Sequence, residues 1–327
     1  MVVLTMMGLR WVSVLFTFCA LCVQTASWAQ PTDFPNRPIT IVVPFPPGGT
    51  ADMLPRLVAE KLPELLGQPV VVTNRPGAAG MLGAEFVSRA SPDGYTLLVV
   101  PPHFFISDLL YKISFEPTKF MPVSILASYP NVLLGSNKLP AQDIAQLLTF
   151  ARSNPKPLNI ASAGSGTSQH LTAELLKEMA KVDMMHVPYK GSSPAMNDLI
   201  AGHVDLMFDN LIAATPYIQS GKLRLLAVGS SSRSKLFPNT PAIHEVLPGF
   251  ESVTWMGVVA PPGTPAAVVE KLSQAISAAM KTPKIRKQIE DLQAEPLGST
   301  STAMADTIRK DGLRWSQLIR SAKITVD

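Results

Sequence analysis

The sequence predicts an α/β protein with two lobes, each built on a mostly parallel sheet flanked by helices. Four segments repeat one local order, in which a short apolar strand runs into a glycine-containing turn and then into a helical pattern. The strands are continuously apolar, which is typical of parallel sheets covered by helices on both faces. The roughly 300 residues after the N-terminal segment exceed one typical core, which indicates two lobes.

The first of these segments consists of "ITIVVP", "FPPGG" and "TADMLPRLVAEKL". Gly48 and Gly49 allow a close backbone approach or a positive φ. Thr50 or Asp52 is the predicted N-cap, and Pro55 is expected in the first helical turn. The free N–H groups and partial positive charge of such a helix start attract a carboxylate or a phosphate. The alternative is a turn that only connects a strand to a helix.

Three further segments follow the same order, with turns at "RPGAAG", "GSG" and "KGSS". Later strands are predicted in "VDLMFDN", "LRLLAVGSS" and "WMGVVAP", and amphipathic helices near residues 265–281 and 301–321. A two-lobed α/β protein binds its ligand outside the carboxyl ends of the parallel strands, where such turns gather. We therefore expect the four glycine turns to line one crevice.

The first 29 residues predict a secretory signal peptide. Arg10 supplies a positive charge, "WVSVLFTFCALCV" is a short apolar core, and "SWA" gives a small-residue cleavage pattern ending at Ala29. A retained membrane anchor is the alternative. Both cysteines, Cys19 and Cys22, lie in this segment, so the mature chain would have no disulfide or thiol chemistry. Export without cysteines is compatible with a bacterial periplasm.

Composition and motifs argue against several classes of function. The formal charge is only +4 and there is no basic run, so nucleic acid is not an expected partner. The sequence lacks the P-loop, HExxH and GxSxG motifs, and its histidines show no metal-ligand spacing. In "SAGSGTSQH", Gln169 stands where a dinucleotide fingerprint needs a third glycine. We expect neither a cofactor nor a metal, and no enzyme; Asp209 with His170 is the only acid–base pair that an enzyme reading offers.

Four side chains near the predicted crevice allow two interpretations each. His170 either reaches the crevice or caps and packs its helix. Arg75 either pairs with a carboxylate or is a structural or solvated cation. Tyr189 is suited to stacking on a ligand or to hydrogen bonding with it. Asp209 either faces the crevice or caps the following helix, whereas Lys190 is interpreted as a surface charge.

Seven stretches extend from about residue 35 to beyond residue 265: "VVPFPPGGTAD", "GQPVVVTNRPGAAG", "SPDGYTLL", "NPKPLNIASAGSGTSQHLTAELL", "HVPYKGSSPAMNDLIAGHVDLMF", "GKLRLLAVGSSSR" and "WMGVVAPPGTP". In their order and spacing the chain resembles the Bug family of tripartite tricarboxylate transporter substrate-binding proteins. The resemblance implies a type II periplasmic-binding-protein fold whose two lobes close on a small carboxylate. It also implies lobe 1 at residues 30–126 plus 250–327 and lobe 2 at residues 127–249.

The resemblance further implies a site in which main-chain N–H groups and waters hold the carboxylate. Carried over position by position, the predicted ligand-binding residues are Phe45, Gly48, Gly49, Asp52, Gly77, Ala78, Ala79, Ser162, Gly164, Gly166, Thr167, His170, Tyr189 and Asp209. Pro47, Ala79 and Met81 depart from the residues frequent in the family, and Pro47 and Met81 adjoin the pocket. These departures bear on which carboxylate fits.

The expected function is that of a monomeric periplasmic receptor that delivers a di- or tricarboxylate, or an aromatic acid, to a membrane permease. A sensor that presents the ligand to a two-component system is the alternative, because the same closed lobe surface would serve both roles. A periplasmic enzyme acting on a carboxylate is the third interpretation.

Overall fold

The computed structural model describes residues 34–326. The predicted signal peptide, residues 1–29, lies outside the described residues. Within the described part, no helix is both long and apolar enough to cross a membrane.

The described residues form one ten-stranded sheet with helices packed on it. The strands are β1 Ile39–Val43, β2 Val70–Asn74, β3 Thr96–Val100, β4 Met121–Gly135, β5 Leu158–Ser162, β6 Met184–Pro188, β7 Leu206–Asn210, β8 Arg224–Val228, β9 Val253–Ala260 and β10 Glu295–Pro296. The helices are α1 Thr50–Ala59, α2 Leu62–Leu66, α3 Met81–Ser88, α4 Ile144–Ser153, α5 Ser168–Ala180, α6 Ser192–Ala201, α7 Leu211–Gln219, α8 Ala266–Met280, α9 Pro283–Asp291 and α10 Ser301–Ser321. Short 3₁₀ segments lie at Ala78–Gly80, Pro102–Leu109, Pro117–Lys119 and Ile243–Glu245.

The sheet has two halves that share strand β4. In the first half, β2, β1 and β3 are parallel, and β3 pairs antiparallel with β9. In the second half, β6, β5 and β7 are parallel, and β7 pairs antiparallel with β4. Strand β4 pairs with β9 as far as Pro130 and with β7 from Asn131 onward. The predicted two-part α/β architecture is therefore confirmed.

Each half of the sheet has its own apolar core. In the first half, Val42, Leu98 and Val259 pack in one cluster beneath the helices. In the second half, Leu133 belongs to the cluster on one face of the sheet, while Val132 belongs to the cluster on the other face. Successive strand side chains point to opposite faces. The burial of both faces explains why the strands are continuously apolar.

The strand–turn–helix order holds at all four predicted glycine turns. These turns join β1 to α1, β2 to α3, β5 to α5 and β6 to α6. The strands predicted from "VDLMFDN", "LRLLAVGSS" and "WMGVVAP" are β7, β8 and β9, and the two predicted C-terminal helices are α8 and α10. These predictions are confirmed.

The predicted start of α1 was wrong in detail. Gly49 is the N-cap residue and no described side chain caps the helix, so neither Thr50 nor Asp52 serves as a side-chain cap. Pro55 lies inside the helix rather than in its first turn. Glycine is an acceptable N-cap because it adopts the required extended conformation at little steric cost.

Candidate functional site

The turn between β1 and α1 is open and is braced by a buried carboxylate. Gly48 has φ +89, and a Cβ on Gly48 or Gly49 would meet no atom within 4 Å. Asp52 is 4% exposed and accepts hydrogen bonds from the Gly48 N–H at 3.0 Å and from Asn74 Nδ2 at 2.8 Å. Arg56 Nε donates to the same carboxylate at 2.9 Å. Asp52 therefore holds the turn in place through buried hydrogen bonds and leaves the space around Gly48 and Gly49, at the N-terminus of α1, open.

The pKa of Asp52 reflects these contacts. Burial raises the pKa of the carboxyl, but the hydrogen bonds from Arg56, Gly48 and Asn74 together outweigh burial and hold the pKa below its ordinary value. A carboxylate that accepts several hydrogen bonds is stabilised in its charged form. Asp52 is therefore an ionised brace at neutral pH.

The turn between β2 and α3 adopts an unusual backbone conformation. Four consecutive residues of this turn have positive φ: Gly77 at 139, Ala78 at 47, Ala79 at 52 and Gly80 at 97. Alanine rarely adopts this region because its Cβ crowds the following carbonyl oxygen. Strain of this kind persists only where the surrounding structure imposes it, and it is concentrated at ligand-binding sites.

Two contacts join this turn to the first one. Asn74 Nδ2 donates to the Phe45 main-chain oxygen at 3.0 Å. A Cβ on Gly80 would lie 3.3 Å from Phe45 Cζ, so the phenyl ring packs directly on this glycine. Phe45, Ala79, Gly80, Met81, Pro101 and His103 are among the residues that line a small cavity between the turns and the end of β3.

Arg75 is engaged away from this cavity. Its guanidinium lies over the Phe86 ring, 3.8 Å from the ring centroid. This cation–π contact is on the surface of α3, where both side chains are exposed. The structure thus favours the structural interpretation of Arg75.

In the second half of the sheet, the side chains of the turn between β5 and α5 hydrogen-bond largely to the turn itself. Ser162 Oγ donates to the Gly164 oxygen at 3.1 Å. Thr167 Oγ1 donates to the same oxygen at 2.7 Å, and Thr167 is the N-cap of α5. Gly164 and Gly166 have φ +139 and +74. These hydroxyls hold the loop in shape, so its main chain remains the surface available to a ligand.

His170 also belongs to the internal structure of this turn. It is 4% exposed, and its Nδ1 accepts the Gly166 N–H at 2.9 Å. Its ring stacks on His186 with centroids 3.8 Å apart, and His186 Nε2 lies 2.7 Å from Ser162 Oγ. Burial lowers the pKa of both imidazoles to about 4. The neutral histidine pair supports the glycine turn, in line with the packing interpretation.

Tyr189 follows β6 at the neighbouring turn. Its hydroxyl donates to Asp198 Oδ2 at 2.6 Å, and its N–H donates to the Ser162 oxygen at 3.0 Å. Burial and this hydrogen bond raise the pKa of Tyr189 to about 12. The hydroxyl is therefore committed to Asp198, and the ring is the part that a ligand would contact. Lys190, the next residue, is exposed as expected.

Asp209 lies at the end of β7 and joins two helix starts. Its Oδ1 accepts hydrogen bonds from Gln169 Nε2 at 3.2 Å, Ser192 Oγ at 3.1 Å and the Asn210 N–H at 2.8 Å. Its Oδ2 is buried and has no partner among the described residues. Burial raises the pKa of this carboxyl to about 6. Asp209 thus ties the first turns of α5 and α6 together.

The two side chains of the acid–base pair considered for an enzyme are each hydrogen-bonded to other groups. Nδ1 of His170 accepts the Gly166 N–H, and Asp209 is held by Gln169 and Ser192. Across residues 34–326, no group of three or more His, Cys, Asp or Glu residues is placed to bind a metal ion.

One residue that lines the cavity was not assigned a site role from the sequence. His103, in the 3₁₀ segment after β3, lines the cavity beside Phe45 and Gly80, and its Nδ1 lies 3.2 Å from Ser168 Oγ at the start of α5. Tyr111 makes a second contact between the halves, because its hydroxyl donates to the Ser165 oxygen. No local pattern around His103 signals this role, since its partner is 65 residues away.

The sequence profile of the tripartite tricarboxylate transporter family receptors, TctC, matches residues 54–324. The chain belongs to this family. Among TctC/Bug relatives, a UPF0065 protein from the tcbD–tcbE intergenic region of a Pseudomonas species is 42% identical over 306 residues, covering 92% of this chain and 91% of the relative. BugT of Bordetella pertussis is 33% identical over 314 residues, which cover 94% of this chain and 96% of BugT.

Solved structures of similar proteins share the TctC fold. The periplasmic binding protein BugD is 35% identical and superposes with a TM-score of 0.81, covering 90% of this chain and all of BugD. An R. palustris protein solved with adipate is 36% identical, with a TM-score of 0.84. The alignment covers 90% of this chain and all of that protein. MatC from Rhodopseudomonas palustris, solved with malate, is 35% identical, with a TM-score of 0.79. The alignment covers 88% of this chain and all of MatC. The two-lobed periplasmic-binding-protein fold is thereby confirmed, and the chain is a solute-binding protein of the TctC/Bug type.

Proposed function

We propose that this protein is a periplasmic receptor that binds a small carboxylate between its two lobes and delivers it to a membrane permease. The observation that carries the proposal is a contact between the segment after β3 and the start of α5. His103 lines the cavity beside Phe45 and Gly80 and also lies 3.2 Å from Ser168 at the start of α5. If the starts of α3 and α5 face one cleft, as this contact suggests, their positive polarisation would favour an anionic ligand.

The proposed site uses the main chain for contact and most polar side chains for support. Gly49, Gly77, Ala78 and Ala79 would offer N–H groups, and Phe45 and Tyr189 would offer ring surfaces. The N–H groups of Gly48, Gly164 and Gly166 donate to Asp52, Ser162 and His170, so these glycines would shape the turns. Asp52, Ser162, Thr167, His170 and Asp209 would hold the turns in place. Adipate and malate, found in the structures of two similar proteins, are both carboxylates of suitable size.

We place the lobes at residues 30–126 plus 250–327 and at residues 127–249. The support is the change of partner along β4, which pairs with β9 up to Pro130 and with β7 from Asn131. Strands β4 and β9 would be the connections between the lobes. Bending near Asn131, where β4 changes its pairing partner, would then close the cleft on its ligand.

A thermal-shift panel of mono-, di- and tricarboxylates, including adipate, malate, citrate and benzoate, tests the ligand class. A ligand at 100 times its Kd stabilises the folded state by about 2.7 kcal/mol, which corresponds to a rise of a few degrees for a protein of this size. We expect at least one carboxylate to do so, with no turnover. Uncharged amides of the same acids serve as controls. A panel in which no carboxylate raises the melting temperature contradicts the proposal.

Delivery to a permease is a separate step. We expect uptake of the labelled carboxylate to fall when the gene is deleted and to return with the complementing gene. Unchanged uptake, together with ligand-dependent transcription, would instead favour presentation to a sensor kinase.

A further inference from the structure

His103 combines deep burial with an unsatisfied polar atom. The residue is 7% exposed, and its Nε2 is buried without a hydrogen-bond partner in the described part of the chain. Leaving a buried polar group unpaired destabilises the folded state, so such groups are rare unless a ligand or water supplies the missing hydrogen bond. His103 lines the small cavity between the first two glycine turns and the end of β3, which distinguishes it from a histidine packed on all sides in a core.

The other edge of the ring is fixed by the second lobe. Nδ1 lies 3.2 Å from Ser168 Oγ, which lies 3.5 Å from Thr254 Oγ1. Ser168 is the first residue of α5, and Thr254 belongs to β9. The imidazole is thus oriented by its neighbours, so that Nε2 is directed away from Ser168.

The hydroxyl neighbours allow a consistent direction of hydrogen bonding. In this direction, Thr254 Oγ1–H would donate to Ser168 Oγ, and Ser168 Oγ–H would donate to His103 Nδ1. The neutral ring then carries its proton on Nε2, because each neutral imidazole has one donor and one acceptor nitrogen. A carboxylate accepts hydrogen bonds and donates none, so this tautomer is the one that suits an anionic ligand.

We propose that His103 is a ligand-binding residue that donates its Nε2–H to a carboxylate oxygen of the bound ligand, with Ser168 as the positioning residue that sets its tautomer. This inference rests on the proposed function, because it takes the ligand to be a carboxylate. It adds a side-chain donor from the first lobe to a site otherwise formed mainly by main-chain groups. It also gives the second lobe a direct influence on a donor that belongs to the first.

The tautomer is tested without any ligand. In the ¹⁵N-labelled, ligand-free protein, long-range ¹H–¹⁵N correlation spectra at pH 7 report which ring nitrogen of His103 carries the proton. We expect a protonated Nε2 and an unprotonated Nδ1, and loss of this preference in S168A. A protonated Nδ1 in the unchanged protein would overturn the proposal, whatever the carboxylate panel shows.

The contact is tested by calorimetry with the carboxylate from the panel that has the lowest Kd. We expect H103L to weaken binding by about tenfold or more, since a hydrogen bond to a charged group is lost. H103Q places an amide N–H near the position of Nε2 and is expected to recover most of the affinity. S168A, which keeps Nε2, is expected to show a smaller loss than H103L.

The control is H203Q, because His203 is an exposed histidine of the second lobe with 69% of its side chain accessible. Its Kd should equal that of the unchanged protein. Melting temperatures of all variants are measured, and H103N, whose shorter amide does not reach the position of Nε2, replaces H103L if H103L fails to fold. A Kd in H103L, or in H103N in its place, equal to that of the unchanged protein would overturn the contact while leaving the proposed function intact. Failure of every carboxylate to bind the unchanged protein would instead refute the proposed function.

Discussion

Ala78 and Ala79 occupy left-handed backbone conformations, with φ 47 and 52, in the turn that adjoins the cavity. The flanking Gly77 and Gly80 adopt positive φ readily, whereas each alanine is strained by about 1–2 kcal/mol. The same turn is held by Asn74 and by packing of Phe45 on Gly80. We therefore expect local stability to be lower here than in the strands, as is common at binding sites.

Replacing Ala79 with glycine is expected to relieve part of this strain. Relief of the left-handed conformation contributes about 1–2 kcal/mol, while the greater freedom of glycine in the unfolded chain costs about 0.4–1 kcal/mol. We expect A79G to have an unchanged or slightly higher free energy of unfolding in urea titrations.

The matched control is A84G, because Ala84 is buried in helix α3. The same substitution there should destabilise by about 1 kcal/mol or more, since helix propensity and packing are both lost. A clear loss of stability in A79G of the size seen in A84G would contradict the account of strain.

At the scale of elements, local patterns predicted the strands and helices around the glycine turns. Strand β1 and helix α1 could be identified because their apolar periodicity lies within one short segment. Strand β4 was not predicted, although it is 15 residues long. It contains Pro122 and Pro130, and proline within a run argues against a central strand. The shift in register at Pro122/Ser124 accommodates the first of them.

The candidate site was predictable as a set of turns but not in the roles of its side chains. Thr167 and His170 were expected at the helix mouth, and the structure shows them hydrogen-bonded within the turn. Their partners are neighbours in the loop, and the fold of the loop decides the pairing. His103 could not be identified, because its contact with Ser168 is created only by the tertiary structure.

A substitution at the N-terminus of helix α1 tests whether this turn belongs to the ligand site. Gly49 has φ −87 and ψ 173, an extended conformation open to any residue, and a Cβ there meets no atom within 4 Å. We expect G49V to retain its fold, with a loss of at most about 1 kcal/mol from the weaker N-cap. Its side chain would occupy the proposed ligand position, so carboxylate binding should be lost in calorimetry.

Gly48 supplies the contrasting variant. Its φ of +89 disfavours a branched side chain, so G48V should lower the melting temperature more than G49V does. An unchanged Kd in a folded G49V protein would remove this turn from the site.

At the scale of the whole molecule, buried ionisable groups predict sensitivity to acid. Burial lowers the pKa of His103, His170 and His186 to about 4, and these groups bind protons more readily in the unfolded chain. Their contribution to stability is therefore present at neutral pH and is lost as the pH falls from about 6.5 to 4. Asp209 acts in the opposite direction, because its raised pKa of about 6 makes its protonated form favourable in the folded state.

Burial also raises the pKa of the Asp311 carboxyl, but the three histidines outweigh Asp209 and Asp311, so acid should destabilise the protein. We expect the free energy of unfolding to fall by on the order of 2 kcal/mol or more between pH 7 and pH 4.5. Urea titrations at the two pH values measure the change. H186Q should show a smaller pH dependence, and H203Q, at an exposed position, should match the unchanged protein. A free energy of unfolding that is constant or higher at pH 4.5 would contradict this assignment.

Strand β4 has a consequence for the order of events during synthesis. Its first part needs β9, residues Val253–Ala260, as a pairing partner, and β3 needs the same strand. The sheet that starts at Ile39 is therefore incomplete until more than 200 residues later in the chain have been made. Pairings between such distant segments slow folding, because the entropy of loop closure is lost before the contacts form. The nascent chain thus remains without a finished first lobe for most of its translation.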